Sequence, residues 1–184
     1  MGTQSKATGF ISFLSTLEGM LPPDDFARFL AAVPAETKVL VDKPPLAMSW
    51  IDDDHFNALF KALDDSVARG NFAIFAEAGR QQMHRDMTTI YKLLMHLATP
   101  QMVIRKASTL YSTYTKNGSM IAKELGPRAC VVTITNGDGI MPQTWIYHRG
   151  TIMGVLECAG VKAPKVEVVK GGGHEAYCEY HVSW

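Results

Sequence analysis

The stretch that decides the fold is KVEVVK at residues 165–170, followed by GGG at 171–173 and YCEYHVSW at 177–184. A β-branched run, a glycine turn and an alternating aromatic run are typical of two antiparallel strands joined by a hairpin. Trp184 carries so much apolar surface that we expect the last strand to be tied into the fold. These residues therefore predict a hairpin that closes a sheet.

Two further strands and one helix are predicted before this hairpin. Turn signals at residues 117–118 (NG) and 126–127 (GP) bound strands at residues 119–125 and 129–135. Apolar side chains at helical spacing predict a helix over residues 143–159. The C-terminal part is thus predicted to be a strand-strand-helix-strand-strand unit.

The first half of the chain has the apolar spacing of helices. After a short apolar stretch at residues 9–20, helices are predicted over residues 22–33, 52–70, 71–98 (bent near Gly79) and 101–114, with an extended connection at Pro44-Pro45. Helices followed by a ββαββ unit imply an α+β fold, in which N-terminal helices pack on a C-terminal antiparallel sheet. We predict a single domain over residues 1–184, helical over about 1–116 and ββαββ over about 117–184.

The composition excludes several classes of function. The 18 basic and 18 acidic residues give a formal net charge of zero, without a long block of like charge, so no nucleic-acid partner is expected. No apolar run approaches the ~20 residues of a membrane helix, so no membrane span is expected. Three cysteines in apolar segments, without a secretory leader, predict reduced thiols and a cytoplasmic location.

The cysteines and histidines do not form a recognisable metal or catalytic motif. His174, Cys178 and His181 lie close in sequence, but alternation along a strand points Cys178 and His181 to opposite faces. A Cys-His nucleophile pair needs spatial adjacency, which the sequence does not show. The glycine run at 171–173 lacks the strand-to-helix context of a phosphate-binding loop. We therefore predict no metal site and assign no catalytic residue.

The long third helix carries the first group of candidate ligand-binding residues. His84 and Tyr91 are seven residues apart and share a face with Met87, whereas His84 and His96 lie about 120° apart at ~100° per residue. Methionines fill irregular apolar space and suit adaptable pockets. Two interpretations stay open for these side chains: they line a pocket, or they simply fill the core.

Two tyrosines near the junction of helix and sheet complete the candidate set. Tyr111 and Tyr114 each combine an apolar ring with a hydrogen-bonding hydroxyl, which suits an elongated cavity; a surface turn is the alternative. The predicted ligand-binding residues are therefore His84, Met87, Tyr91, Tyr111 and Tyr114, around an apolar pocket between the long helix and the sheet. His148-Arg149, on the last helix, is predicted to face solvent.

The order of elements also resembles a known superfamily of ligand-binding domains. The matching residues are Leu21-Pro22, Trp50, Ala78-Gly79-Arg80, Thr99-Pro100, Tyr114-x3-Gly118, Leu156-x3-Gly160 and Gly173-x4-Cys178-x-Tyr180-x3-Trp184. The superfamily includes the 4-vinyl reductase domain, the haem-nitric-oxide-binding domain and the TRAPP-type subunits of the Golgi tethering complex. Within it, the chain looks most like uncharacterised myxobacterial-type proteins of about this length.

The resemblance implies an α+β ligand-binding fold, often dimeric through helices, that serves as a sensory or scaffold module. Haem-binding members carry Tyr-x-Ser-x-Arg near the helix-to-sheet junction. Residues 111–115 read YSTYT here, with neither the Ser nor the Arg in register. No cofactor is therefore predicted.

The resulting hypothesis is a non-enzymatic small-molecule-binding or signalling-scaffold domain. Its expected partners are an apolar small molecule, a second copy of the chain in a homodimer, and a signalling protein. Two alternatives stay open. One is an enzyme acting on a tetrapyrrole-like substrate, with His84 or Tyr114 as acid, and the other is a pure protein-interaction module.

Overall fold

A computed structural model describes residues 2–89, 98–136 and 140–184. The helices are α1 (Ala7–Met20), α2 (Pro23–Ala32), α3 (Ala35–Asp42), α4 (Asp54–Leu63), α5 (Ala73–Thr89), α6 (Pro100–Tyr114) and α7 (Pro142–Cys158). A π-helical turn at Asp64–Ala68 extends α4. The strands are β1 (Gln4–Lys6), β2 (Trp50–Asp52), β3 (Thr115–Lys116), β4 (Ser119–Gly126), β5 (Ala129–Thr135), β6 (Lys165–Gly171) and β7 (Tyr177–Ser183).

The predicted α+β fold is confirmed, with helices packed against an antiparallel sheet. Strands β4 to β7 form a four-stranded sheet in the order β4-β5-β7-β6, and α7 connects β5 to β6. Side chains alternate along β7, so that Cys178, Tyr180 and Val182 are buried while His181 points to the opposite face. The hairpin at residues 165–184 is therefore the closing element that the sequence predicts.

A second, smaller sheet is absent from the sequence-based prediction. It pairs β1 with both β2 and β3, in the order β2-β1-β3. Strands of two or three residues are too short for a period of two to show in the sequence. The ring of Trp50 holds this sheet together, because Lys6 Nζ lies 3.8 Å and Lys116 Nζ 4.3 Å from its centroid.

The structure also contains two N-terminal helices that the sequence analysis does not predict. Residues 9–20 form most of α1, and α3 lies between the helix predicted over residues 22–33 and the extended connection predicted at Pro44-Pro45. Helix α1 buries Phe10, Phe13 and Leu17, which follow helical spacing. Within the described ranges, no helix combines the length and the apolar character that crossing a membrane requires.

The buried side chains form two hydrophobic cores. The helical core is rich in aromatic rings, and Phe60 packs edge-on against Phe13 and Phe75 with centroids 5.2 and 5.8 Å apart. The sheet core is mainly aliphatic and lies between the four-stranded sheet, α6 and α7. Helix α7 contributes to both cores, with Tyr147 in the first and Trp145 in the second.

Helix α7 meets α5 through glycines. A Cβ atom at Gly150 would lie 1.9 Å from the carbonyl oxygen of Ala76, and one at Gly79 would lie 2.3 Å from the carbonyl oxygen of Tyr147. Both distances are far below any tolerated contact, so the two helices approach backbone to backbone. Helix α5 is continuous through Gly79, which is a packing site for α7 instead of the predicted bend.

Candidate functional site

His148 lies at the centre of the candidate site, on the side of α7 that faces the sheet. Its ring centroid is 6.3 Å from that of Tyr111, 6.1 Å from that of Trp145 and 5.8 Å from that of Tyr147. Removal from solvent lowers the pKa of His148 to about 4. The imidazole is therefore neutral at physiological pH, with one nitrogen protonated and the other able to accept a hydrogen bond.

The prediction that His148-Arg149 faces solvent is corrected by the structure: both residues are half-buried, because α7 is buried on two sides. Gln143, Tyr147, Gly150 and Gly154 form one buried stripe, and Trp145, Ile152 and Leu156 form another. His148 follows Trp145 by three residues and precedes Ile152 by four, which places it beside the second stripe. That spacing is visible in the sequence and is the signal that His148 is partly covered.

Tyr111 joins α6 to the end of β5. Its hydroxyl donates a hydrogen bond to the side-chain carbonyl of Asn136, a buried residue directly after the strand. Burial raises the pKa of Tyr111, and the nearby Asp53 carboxylate raises it further. The phenol therefore stays protonated, with its ring beside the neutral imidazole of His148.

A second polar group lies in the helical core. The hydroxyl of Tyr147 donates a 2.7 Å hydrogen bond to Gln82 Oε1, and Gln82 Nε2 donates to the carbonyl oxygen of Gly9 at 3.2 Å. Asp86, one turn further along α5, has a raised pKa because it is removed from water. This network links α1, α5 and α7, and nothing in the hydropathy pattern marks Gln82 in advance.

The predicted residues of the site fall at two levels of α7. His84 Nε2 lies 2.6 Å from Glu157 Oε2 near the end of the helix, whereas Tyr111 contacts His148 near its middle. Nine residues of helix separate Glu157 from His148, which is about 13 Å along the axis. The structure therefore brings Tyr111 to the candidate site and places His84 in a different group.

The other three predicted residues have mixed outcomes. Tyr114 ends α6 close to Asp86, whose carboxylate contributes with burial to a raised pKa of the phenol. Met87 is half-buried on α5. Tyr91 lies outside the described residues, as does His96. A ligand-binding role for all five predicted residues stays a prediction.

An acidic cleft of about 240 Å³ lies at the edge of the small sheet. It is lined by Gly2, Thr3, Asp52, Asp53, Asp54, Asn57 and Ile140. Burial raises the pKa of Asp53 to about 6, and Asp53 Oδ1 is buried without a hydrogen-bond partner in the described part of the chain. This cleft is polar and lies apart from the predicted apolar pocket.

The chain belongs to a protein family defined by its C-terminal two thirds. The family model described as "Protein of unknown function (DUF2378)" matches residues 68–184, which is more than half of the chain. None of the curated proteins matches the sequence. Helices α5 to α7 and the four-stranded sheet all lie within the matched residues.

Solved structures with the same fold are H-NOX domains. The Fe(II) unliganded H-NOX protein from K. algicida has 10% identity and a TM-score of 0.71, over 97% of this chain and 95% of that chain. An oxygen-binding H-NOX domain related to soluble guanylate cyclases has 17% identity and a TM-score of 0.70, over 96% of this chain and 92% of that chain. At these identities the similarity concerns the fold. The predicted resemblance to the haem-nitric-oxide-binding domain is thus supported at the level of the fold, and the 4-vinyl reductase part is not supported.

Proposed function

We propose that this protein is a non-enzymatic small-molecule-binding domain that serves as a sensor or signalling scaffold. The ligand binds on the sheet-facing side of α7, where Tyr111 and His148 meet. The observation that carries the proposal is the meeting of the His148 imidazole with the rings of Tyr111 and Trp145, at centroid distances of 6.3 and 6.1 Å. Desolvation lowers the pKa of His148 to about 4, so the imidazole is neutral at physiological pH.

The side chains around His148 define the chemistry of the ligand. The neutral imidazole offers one donor and one acceptor. The Tyr111 hydroxyl donates its proton to Asn136 and offers a ligand only an acceptor, and Trp145 supplies an apolar wall. A charged ligand is disfavoured there, because burying its charge without a partner is expensive. We therefore infer an uncharged, mainly apolar ligand with one hydrogen-bonding group.

Haem does not fit the histidines that the structure describes on α5 and α7. An axial ligand needs a ring nitrogen directed at the iron. His84 has Glu157 at Nε2, 2.6 Å away, and Cys158 Sγ at Nδ1, 3.5 Å away. His148 has aromatic rings next to it on three sides. We propose ligand binding without haem, in agreement with the missing Tyr-x-Ser-x-Arg motif.

Native mass spectrometry and a dye titration test this proposal. The purified protein is expected to retain a small apolar molecule, or to bind the neutral fluorophore N-phenyl-1-naphthylamine saturably at one site per chain. His148→Leu is expected to weaken dye binding at least about tenfold, which is about 1.4 kcal/mol. The control is His181→Leu, because His181 lies on the opposite face of the sheet.

Two results contradict the proposal. One is a protein with no retained ligand and no saturable dye binding. The other is saturable binding that His148→Leu and His181→Leu weaken equally. The first removes the ligand-binding function, whereas the second removes only the site at α7.

We also propose that the protein forms a homodimer through the sheet. On edge strand β4, Ile121 is 62% exposed and Leu125 56% exposed, on the face that α7 does not cover. Exposed apolar side chains along a strand edge favour contact with a second copy or with a signalling partner. Light scattering is expected to show a dimer that Ile121→Lys dissociates, and a monomeric wild-type protein contradicts this.

Residues 1–184 form one domain in this proposal, and the protein is cytoplasmic. The two hydrophobic cores share α7, so they are expected to unfold together in a single calorimetric transition. Two separate transitions contradict a single domain. Cys130, Cys158 and Cys178 are all free thiols, which is typical of a reducing compartment.

A further inference from the structure

A cluster of a thiol, an imidazole and a carboxylate lies where α5 and α7 meet, away from His148. Cys158 Sγ is 3.5 Å from His84 Nδ1, and His84 Nε2 is 2.6 Å from Glu157 Oε2. Arg80 Nε donates a 2.7 Å hydrogen bond to the same carboxylate oxygen. The His84 side chain is 43% exposed, and Cys158 is half-buried, so small molecules reach the cluster from solvent.

The hydrogen bonds select the tautomer of His84. A carboxylate accepts but does not donate, so the proton of the neutral imidazole lies on Nε2, facing Glu157. Nδ1 then carries a lone pair and faces Cys158, whose S–H group is the donor across the 3.5 Å contact. A nucleophile next to a base that a third group orients is the arrangement of thiol catalysts.

We propose that Cys158 is a hydroperoxide-reactive thiol and that His84 is its general base. His84 Nδ1 takes the thiol proton, and the sulfur attacks one oxygen of the peroxide. The S–O bond forms as the O–O bond breaks, and the imidazolium returns a proton to the departing oxygen. With hydrogen peroxide the products are the sulfenic acid of Cys158 and one water; the sulfur is oxidised by two electrons and the peroxide is reduced.

The electrostatic surroundings disfavour a resting thiolate at Cys158. Burial and the Glu157 carboxylate raise the pKa of Cys158, and the residue ends α7, where the helix dipole also disfavours an anion. Arg80, which faces the cluster from α5, pairs with Glu157 at 2.7 Å and with Glu77 at 3.3 Å. The thiol is therefore protonated at rest and needs a base to become a nucleophile.

The other two thiols serve as internal controls. Cys130 and Cys178 are 0% exposed in the sheet core, and burial raises the pKa of Cys130 to about 11. In the described part of the chain, neither Cys130 nor Cys178 is hydrogen-bonded to a histidine that could act as its base. In the folded protein, oxidation is therefore expected at Cys158 well before Cys130 or Cys178.

The experiment measures sulfenic acid formation on the full chain at pH 7. Hydrogen peroxide is added in the presence of dimedone, and peptide mass spectrometry gives the rate at each cysteine. His84→Gln keeps a hydrogen-bond donor for Glu157 but provides no base, so the rate at Cys158 is expected to fall at least about tenfold. The matched control is His55→Gln, whose imidazole Nδ1 lies 3.0 Å from the Thr37 hydroxyl.

The pH profile separates a base from a merely structural role. Once the pH exceeds the raised pKa of Cys158 the thiol ionises unaided, so wild type and His84→Gln are expected to converge at high pH. Glu157→Gln is expected to lower the rate at pH 7, because an amide can also donate and no longer fixes the His84 tautomer whose Nδ1 lone pair faces Cys158. The proposal is overturned by a Cys158 rate no higher than that of the urea-unfolded chain, or by a His84→Gln defect that is the same at every pH.

Discussion

The two buried stripes of α7 differ in the kind of contact that they make. The stripe that faces α5 contains Gly150 and Gly154, and it brings two backbones into direct contact. The stripe that faces the sheet contains Trp145 and His148, with aromatic rings and a neutral imidazole. Direct backbone contact leaves no room for a ligand, whereas large side chains can rearrange around one. The side of α7 that faces α5, with Gly150 and Gly154, is therefore a tightly packed helix contact, which we call the glycine seam. The side that faces the sheet is where function is proposed.

The largest expected effect is a loss of stability when the contact between α5 and α7 at the glycine seam is disrupted. Gly150→Ala places a Cβ 1.9 Å from a backbone oxygen of α5, so the helices must separate. We expect a loss of unfolding free energy of about 3 kcal/mol or more, measured by urea denaturation. Gly19→Ala is the control, since a Cβ there meets nothing within 4 Å, and it is expected to be neutral or stabilising. Equal stability of the two variants contradicts a tight seam.

The next effect tests the sheet-facing stripe through its pH dependence. His148 has a folded pKa of about 4, below its ordinary 6.5, so the unfolded chain binds the proton more tightly. Stability is therefore expected to fall as pH drops from 6.5 to 4, by about 3 kcal/mol from this group alone. Subtracting the His148→Phe curve from the wild-type curve isolates that contribution. Parallel curves for the two proteins indicate that the imidazole is not desolvated.

Asp53 changes the stability with pH in the direction opposite to that of His148. Its folded pKa of about 6 lies above 3.8, so the folded protein prefers the protonated acid, and ionisation above pH 6 opposes folding. Asp53→Asn is expected to stabilise the protein at pH 8 by about 2 kcal/mol, a gain that disappears below about pH 4. Thermal unfolding at both pH values measures this. A destabilised Asp53→Asn protein at pH 8 indicates that the hydrogen bond with Ser5 outweighs the cost of burying the charge.

The smallest expected effect concerns a polar link on the side of α7 that faces α5. Tyr147→Phe removes the donor to Gln82 Oε1 and leaves a buried acceptor unsatisfied. We expect a loss of about 1–2 kcal/mol by urea denaturation. Tyr177→Phe, in the half-buried first position of β7, is the control and is expected to stay within about 0.5 kcal/mol of wild type. A larger loss in the control contradicts the interpretation.

Sequence patterns predict the sheet better than they predict the site. Strands β4 to β7 are long enough for turn signals and alternation to mark them, whereas β1, β2 and β3 are too short. Helical periodicity also indicated that His148 is partly buried, because this residue lies on the same side of α7 as Trp145 and Ile152. The meeting of His84 with Cys158 had no sequence signal, since those residues are 74 positions apart and adjacent only after α5 packs on α7.

The sharing of one helix by the candidate ligand site and the reactive thiol has a thermodynamic consequence. His148 and Cys158 are ten residues apart on α7, which packs backbone to backbone against α5 at Gly150 and Gly154. Linkage requires that any change which ligand binding makes in the oxidation equilibrium of Cys158 be matched by an equal change of ligand affinity on oxidation. Occupancy and redox state would then report on each other, and measuring either one at controlled values of the other gives the same coupling free energy.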